Sequence, residues 1–314
     1  MRGMDTPGRR ITLLRAMAIA CAVLVLAITS LSAFIRLSRA GLGCEPWPQC
    51  QAQLLGEAKQ GAAPAPAGAV AAARIAHRIT AVGALLLVIA MLMTAYASAP
   101  PLARQGRLVV ALLGLAVFLA VLGRMTADSR LPAVVLGNLL AGLAMFAVSW
   151  RLVAATAPAG GARPLGAGWV WLALLLLALQ IMLGGLVSAA HAGASCPRLT
   201  GCDLGAASWQ ALNPWHEPDP GAAVGAGALL HMAHRAAGIL TAIVLAALGV
   251  AASRRGHRAG ALVLVLVVLE LAAGAGLVAR STPLALALVH NMLAALLLAA
   301  VASLLPDRRW PHAA

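Results

Sequence analysis

The chain has 314 residues; 62% are hydrophobic, only 10% are charged, and the mean hydropathy is +0.91. Soluble domains run at roughly 45–50% apolar and ~25% charged, so a soluble globular enzyme, a disordered chain and a secreted disulfide miniprotein are excluded. The formal net charge of +14, from 23 Lys and Arg against 9 Asp and Glu, is the excess that marks cytoplasmic loops of membrane proteins and calls for no nucleic-acid partner.

A membrane-spanning helix needs about 20 apolar residues. Eight segments qualify, at roughly 11–34, 70–97, 106–124, 131–153, 167–190, 228–252, 259–279 and 283–305. Turn residues and charges punctuate them, among them Pro100-Pro101, Leu131-Pro132, Pro158 to Pro164, Arg254-Arg255-Gly256 and Thr282-Pro283. The runs lack the period-two alternation of a closed barrel, the other architecture that satisfies backbone polar groups in lipid. The fold class is therefore an all-α integral membrane protein with eight transmembrane helices. The first segment follows Arg9, Arg10 and Arg15 but exceeds the ~7–15 apolar residues of a signal peptide, so it reads as a retained helix.

Arginines set the orientation. Arg2, Arg9, Arg10, Arg15, Arg104, Arg107, Arg151, Arg163, Arg254, Arg255, Arg258, Arg308 and Arg309 fall on one side, and Glu45, Glu57, Asp128, Asp203, Glu217 and Asp219 on the other. Both termini are expected to be cytoplasmic. The long loops at about 35–70 and 191–227 then face outside. With no transit-peptide pattern at the N-terminus, the expected location is a bacterial inner membrane.

The chain repeats itself. Ala40-Gly41-Leu42-Gly43-Cys44 and then Cys50 follow the first helix; Ala192-Gly193-Ala194-Ser195-Cys196 and then Cys202 follow the fifth. His77-Arg78 lies early in the second helix and His234-Arg235 early in the sixth. Pro132 precedes Asn138 in the fourth, and Pro283 precedes His290 in the eighth. Cys44 to Cys196 and Asn138 to His290 share an offset of 152. Four helices per half predict a parallel repeat of two pseudo-symmetric four-helix bundles, residues 1–157 and 158–314.

His77, Asn138, His234 and His290 each lie about six or seven residues inside a helix, roughly 10 Å below the outer surface at 1.5 Å rise per residue. A polar side chain at that depth needs a partner. Two imidazoles at one depth on neighbouring helices can take the two faces of a haem iron, which His234 and His290 satisfy in the C-terminal half. Arg78 and Arg235 are placed to pair with haem propionates. The plainer alternative is that these histidines only hydrogen-bond between helices.

Each outer loop carries Cys-x5-Cys, too wide and too few in ligands for a typical zinc site. On the oxidising side, a disulfide is expected in each loop, Cys44 with Cys50 and Cys196 with Cys202. Stapling the loop is the simpler role and redox activity the alternative. Cys21 reads as a small core residue. Glu270, mid-membrane, is either functional or a neutral hydrogen-bonded carboxyl. His231 lies one turn before His234, either against the haem or at a helix interface. His216, His257 and His312 receive no role.

Together, Arg36 to Cys50 (RLSRAGLGCEPWPQC), His77-Arg78, Gly123 to Pro132 (GRMTADSRLP), Ala192 to Cys202, His234-Arg235 and His290 resemble the heme A synthase family over essentially the whole chain. The resemblance implies an eight-helix fold of two similar halves and conversion of haem O to haem A, in which a porphyrin methyl group becomes a formyl group by successive hydroxylations. It implies a haem b on His234 and His290, the haem O substrate in the N-terminal half, and disulfides that stabilise or redox-tune the site. Membrane lipid surrounds such a chain; haem O synthase, oxidase assembly factors and a second copy are compatible partners that no residue singles out. The chain departs from the family in the N-terminal half. Arg74 stands three residues before His77, where a Glu is usual, and Asn138 where a second His is usual. Arg74 cannot act as a base near neutral pH, and Asn138 is a poor iron ligand. His77, Arg74 and Asn138 are the catalytic candidates. Two readings compete with the enzyme: a non-catalytic haem b protein in oxidase assembly or electron transfer, and a haem-free transporter.

Overall fold

A computed structural model describes residues 6–39, 68–125, 129, 131–157, 162–218, 224–280 and 282–306. The described residues form eight long α-helices: α1 (Pro7–Arg39), α2 (Gly68–Tyr96), α3 (Ala103–Met125), α4 (Pro132–Ala155), α5 (Ala167–Ala189), α6 (Ala228–Arg254), α7 (Arg258–Ala279) and α8 (Leu284–Ala302). Three short 3-10 turns, Ala192–Ala194, Trp209–Leu212 and Val224–Gly227, punctuate the loop between α5 and α6. All eight helices are long and apolar enough to cross a membrane. The chain is a multi-pass, all-helical membrane protein.

Seven of the eight spans end within a few residues of their expected limits. The exception is α1, which runs on to Arg39 where a loop was expected from about residue 35. Apolarity fades at Arg36, but the first helix breaker is Gly41, so the helix outlasts its hydrophobic stretch. Arg36 is thereby a helical residue, not a loop residue. Cys44, Cys50, Glu45 and Glu57 lie outside the described residues, as does Asp128.

Each helix packs on the next in sequence; α1 also closes on α4, and α5 on α8. Further contacts join α8 to α1 and to α4. Small residues permit these approaches. A methyl group on Gly185 of α5 would come within 2.7 Å of Leu139 on α4, and one on Gly249 of α6 within 2.9 Å of Leu264 on α7. Large apolar side chains face outward as well as inward: Ile75, Ile79, Val82 and Leu86 run along one exposed face of α2, and Ile239 and Ile243 along α6. Such faces suit lipid, where outward apolar surface carries no hydration penalty.

Polar side chains finish the helix ends. Arg10, 5% exposed, donates to the carbonyls of Thr94, Ala95 and Pro100 at 2.9–3.1 Å. These carbonyls lie at or just past the C-terminus of α2, where they lack intrahelical donors and a cation is favoured. Arg255 donates to Pro164 O at 2.6 Å, and His257 Nε2 to Arg163 O at 2.8 Å, holding the α4–α5 linker against the α6–α7 turn. At the far end of α8, Trp150 Nε1 donates to Ser303 Oγ at 2.7 Å and fastens α4 to it.

Candidate functional site: a histidine pair across a membrane cavity

A cavity of about 450 Å³ lies among α5, α6, α7 and α8, with α1 and α4 contributing to its wall. Its size falls within the range of small-molecule and cofactor sites. Leu177, Ile181, Leu245 and Val267 form much of its apolar lining. His234 of α6 and His290 of α8 face each other across it, ring centroids 6.5 Å apart and ring planes at 89°. Each is the seventh residue of its helix, so the equal depth expected of the pair follows from where Ala228 and Leu284 begin their helices.

Each ring has a polar neighbour at Nδ1. His290 Nδ1 lies 3.2 Å from Glu270 Oε1 on α7, out of line for a full hydrogen bond. His234 Nδ1 lies 3.1 Å from Gln180 Nε2 on α5. In that arrangement the amide donates and Nδ1 accepts, which leaves the proton on Nε2. Gln180 Oε1, however, is buried without a partner. Half a turn of the amide brings Oε1 to Nδ1–H and leaves the Nε2 lone pair free, the tautomer a metal ligand requires. Carbonyl and carboxylate partners at Nδ1 are the usual supports of ligating histidines.

Glycines make room for the rings. A Cβ on Gly184 would sit 2.9 Å from His234 Cε1, one on Gly238 3.0 Å from Gln180 Nε2, and one on Gly274 3.5 Å from His290 Cε1. The close-set rings, the supported Nδ1 atoms and the glycine-walled apolar cavity fit a flat, largely apolar cofactor with an axially ligated metal. No cluster of three or more His, Cys, Asp or Glu suited to a bare metal ion occurs among the described residues.

The loop after α5 closes one end of the cavity. Cys196 and Cys202 form the expected disulfide, with Cα atoms 5.1 Å apart. Arg235 donates from Nη2 to Cys196 O at 2.7 Å and from Nη1 to Arg198 O at 2.8 Å, so its guanidinium clamps this loop onto α6. His231, 6% exposed, puts Nδ1 3.1 Å from Ala192 O and pins the same loop one turn earlier. His191 takes φ 54° and Thr282 φ 56°, both left-handed, and both line the cavity. Burial holds the His191 imidazole below its ordinary pKa.

The N-terminal candidates are not gathered into this cavity. His77, Arg74, Arg78 and Asn138 are absent from its lining. Asn138 Nδ2 donates to Val134 O at 3.2 Å within its own helix, and Arg74 Nε is buried without a partner. Cys21 is fully buried, 3.5 Å from Ser149 Oγ, as a core residue would be. Sequence reasoning missed Gln180, although a lone polar residue inside Leu174 to Leu183 was the signal for it. Arg36 was noticed only as part of a motif, and its place in the wall of this cavity depends on how α1 meets α5 and α8.

Residues 15–302 match the COX15-CtaA family, described as cytochrome oxidase assembly protein. A heme A synthase of Shewanella oneidensis is 29% identical over 309 residues, covering 88% of this chain and 91% of that protein. A match over nearly the whole chain, with the histidines and the Cys196–Cys202 loop in the expected order, shows that the chain belongs to the heme A synthase family of cytochrome oxidase assembly proteins.

Proposed function

We propose that this chain is a haem-binding membrane oxidoreductase of haem A biosynthesis, oxidising the porphyrin methyl group of haem O to the formyl group of haem A for cytochrome oxidase. The carrying observation is the His234–His290 pair, 6.5 Å apart across the α5–α8 cavity. In this reading His234 and His290 hold a haem b, which supplies one-electron transfer when bound. Gln180 and Glu270 fix the two rings from behind, and the glycines at 184, 238 and 274 keep the space open. The family and the similar Shewanella protein support the same activity.

Haem O belongs in the N-terminal half, residues 1–157, beside His77 and Arg78, with the haem b half at 158–314. Support for a repeat of the two halves comes from Arg36 Nε donating to Ser188 Oγ at 3.2 Å, since these residues are separated by the same 152 positions as Cys44 and Cys196. The location is a bacterial inner membrane with both termini cytoplasmic. A haem O synthase upstream and oxidase assembly factors downstream are the fitting partners.

One feature favours a second reading, a non-catalytic haem b protein of oxidase assembly or electron transfer. Arg74 stands where the resemblance calls for a carboxylate, and Asn138 where it calls for a histidine. The test is to express the chain beside a haem O synthase in a host without haem A, purify it in detergent, and identify the extracted haems by chromatography and mass. Haem A or its alcohol precursor supports the enzyme. Haem b alone supports the second reading. Absence of any haem refutes both.

A further inference from the structure

We propose that the outer end of the α5–α8 cavity is a carboxylate seat built by Arg36 of α1 with His191 and Thr282, and that it binds the propionates of the porphyrin held by His234 and His290. The proposal rests on the haem b reading above and adds residues and an orientation to it.

Arg36 is a cation without a carboxylate partner among the described residues. Its Nε donates to Ser188 Oγ and its Nη2 to Asn291 Oδ1, both at 3.2 Å and both to neutral groups. A guanidinium has five N–H donors, so donors remain after these two contacts. The two bonds aim the group: Ser188 is near the end of α5, and Asn291 follows His290 on α8. Arg36 thus enters the cavity wall from a different helix pair, beside one of the two ligating positions.

Two further polar groups converge on the same end. Thr282 Oγ1 and His191 Nδ1 are buried and have no hydrogen-bond partner. Both residues line the cavity and both follow a helix C-terminus, His191 after α5 and Thr282 after α7. Each occupies a left-handed position that glycine or asparagine normally takes. A β-branched threonine there is a marked outlier. Strained residues persist where surrounding structure holds them, and they concentrate at ligand sites. Here they bring a hydroxyl and an imidazole to a place with no protein acceptor or donor to satisfy them.

Arg235, the cation nearest His234 in sequence, is engaged otherwise. Its Nη atoms donate to the carbonyls of Cys196, Arg198 and Leu199. Its task is to hold the disulfide loop. Arg235 Nε is buried without a partner, but both its Nη groups are committed to the loop, which leaves Arg36 as the lining cation with a terminal nitrogen for an anion. Glu270 stands behind His290, 3.2 Å from its Nδ1, and supplies no cation for an anionic ligand. Charge therefore orients the ligand, acidic edge outward and apolar edge between Leu177, Leu245 and Val267.

The test uses the full chain in detergent, freed of haem, with iron protoporphyrin IX and its dimethyl ester as probes followed by absorbance. Charge-assisted hydrogen bonds of this kind correspond to about tenfold or more in affinity. The wild-type chain should bind the free acid at least about tenfold tighter than the ester. Arg36→Gln should erase that preference while keeping the spectrum of two axial histidines, Arg36→Lys should restore part of it, and Thr282→Val should reduce it. Equal binding of acid and ester by the wild type overturns the seat but leaves the histidine ligation standing, and needs no variant to fold. An undiminished preference in a folded Arg36→Gln also overturns it. If neither probe binds, or binding survives His234→Ala with His290→Ala, the haem b reading itself fails and the seat with it.

Discussion

Gly184→Ala should loosen haem binding without touching a ligand. The added methyl carbon would lie 2.9 Å from His234 Cε1, 3.5 Å from Nδ1 and 3.6 Å from Nε2. Carbon atoms rest at about 3.5–4.0 Å, so the ring must retreat by roughly 0.6 Å or α5 must shift away. The ring has little freedom, because Gln180 holds Nδ1 at 3.1 Å and His290 stands across the cavity. Metal–ligand distances tolerate only about 0.2 Å. Disturbing the support of a ligating histidine costs about 10–100-fold in metal affinity, and the loss here should reach at least the lower figure. Absorbance titration of the haem-free protein measures it, and a mixture of five- and six-coordinate spectra should accompany it. Gly114→Ala is the control: its Cβ meets nothing within 4 Å, and removing a mid-helix glycine should stabilise α3 by up to about 1 kcal/mol. A Gly184→Ala protein with wild-type affinity and spectrum would refute the reasoning from this contact to ligation.

Gln180→Glu keeps an acceptor for His234 Nδ1–H and should retain haem at a lowered reduction potential, whereas Gln180→Leu should lose about tenfold in affinity; equal behaviour of the two, by redox and binding titration, would refute the amide's supporting role. Replacing Cys196 and Cys202 by Ser opens a loop of sequence separation 6 and should cost about 2 kcal/mol, seen as a lower Tm in detergent, with an unchanged Tm the contrary result. His191 is held below its ordinary pKa by burial, so the fold favours its neutral form. The unfolded chain protonates near pH 6.5, so this contribution is complete above about 6.5 and is lost as pH falls toward the folded value. His191→Asn, which tolerates a positive φ, should make the Tm of the haem-free protein less sensitive between pH 7.5 and 5.5; an identical slope would contradict it.

The spans were legible because lipid imposes one rule on every helix, about 20 apolar residues with all backbone groups paired internally. Where another force governs an end, the reading slipped. Arg36 to Arg39 stay helical because nothing before Gly41 breaks the helix, although the hydrophobic signal has ended. That His234 and His290 face each other was legible from the repeat and from their equal depth, since helix rise converts sequence position to height in the membrane. The residues behind them were harder to find. Gln180 supports His234 from 54 positions away, and Arg36 reaches Asn291 across 255, and no local pattern encodes either pairing. Arg235 was legible as a cation near the histidines, but its hydrogen bonds to the Cys196–Leu199 backbone depend on where the disulfide loop folds.

The hydrogen bond from Arg36 to Ser188 has a consequence for ancestry as well as packing. Its two ends lie 152 positions apart, the offset that also separates Cys44 from Cys196. Two identical subunits meeting at that point would have to present the same side chain from both sides. Arginine against arginine would repel, and serine against serine would leave the cavity without its cation. A single polypeptide that writes both sides is released from that constraint. It can set a long charged donor against a short neutral acceptor, just as it can set Asn138 where the other stretch has His290. Joining both stretches in one chain thus permits their division of labour: one side gives up a charge to complete a pocket that lies in the other.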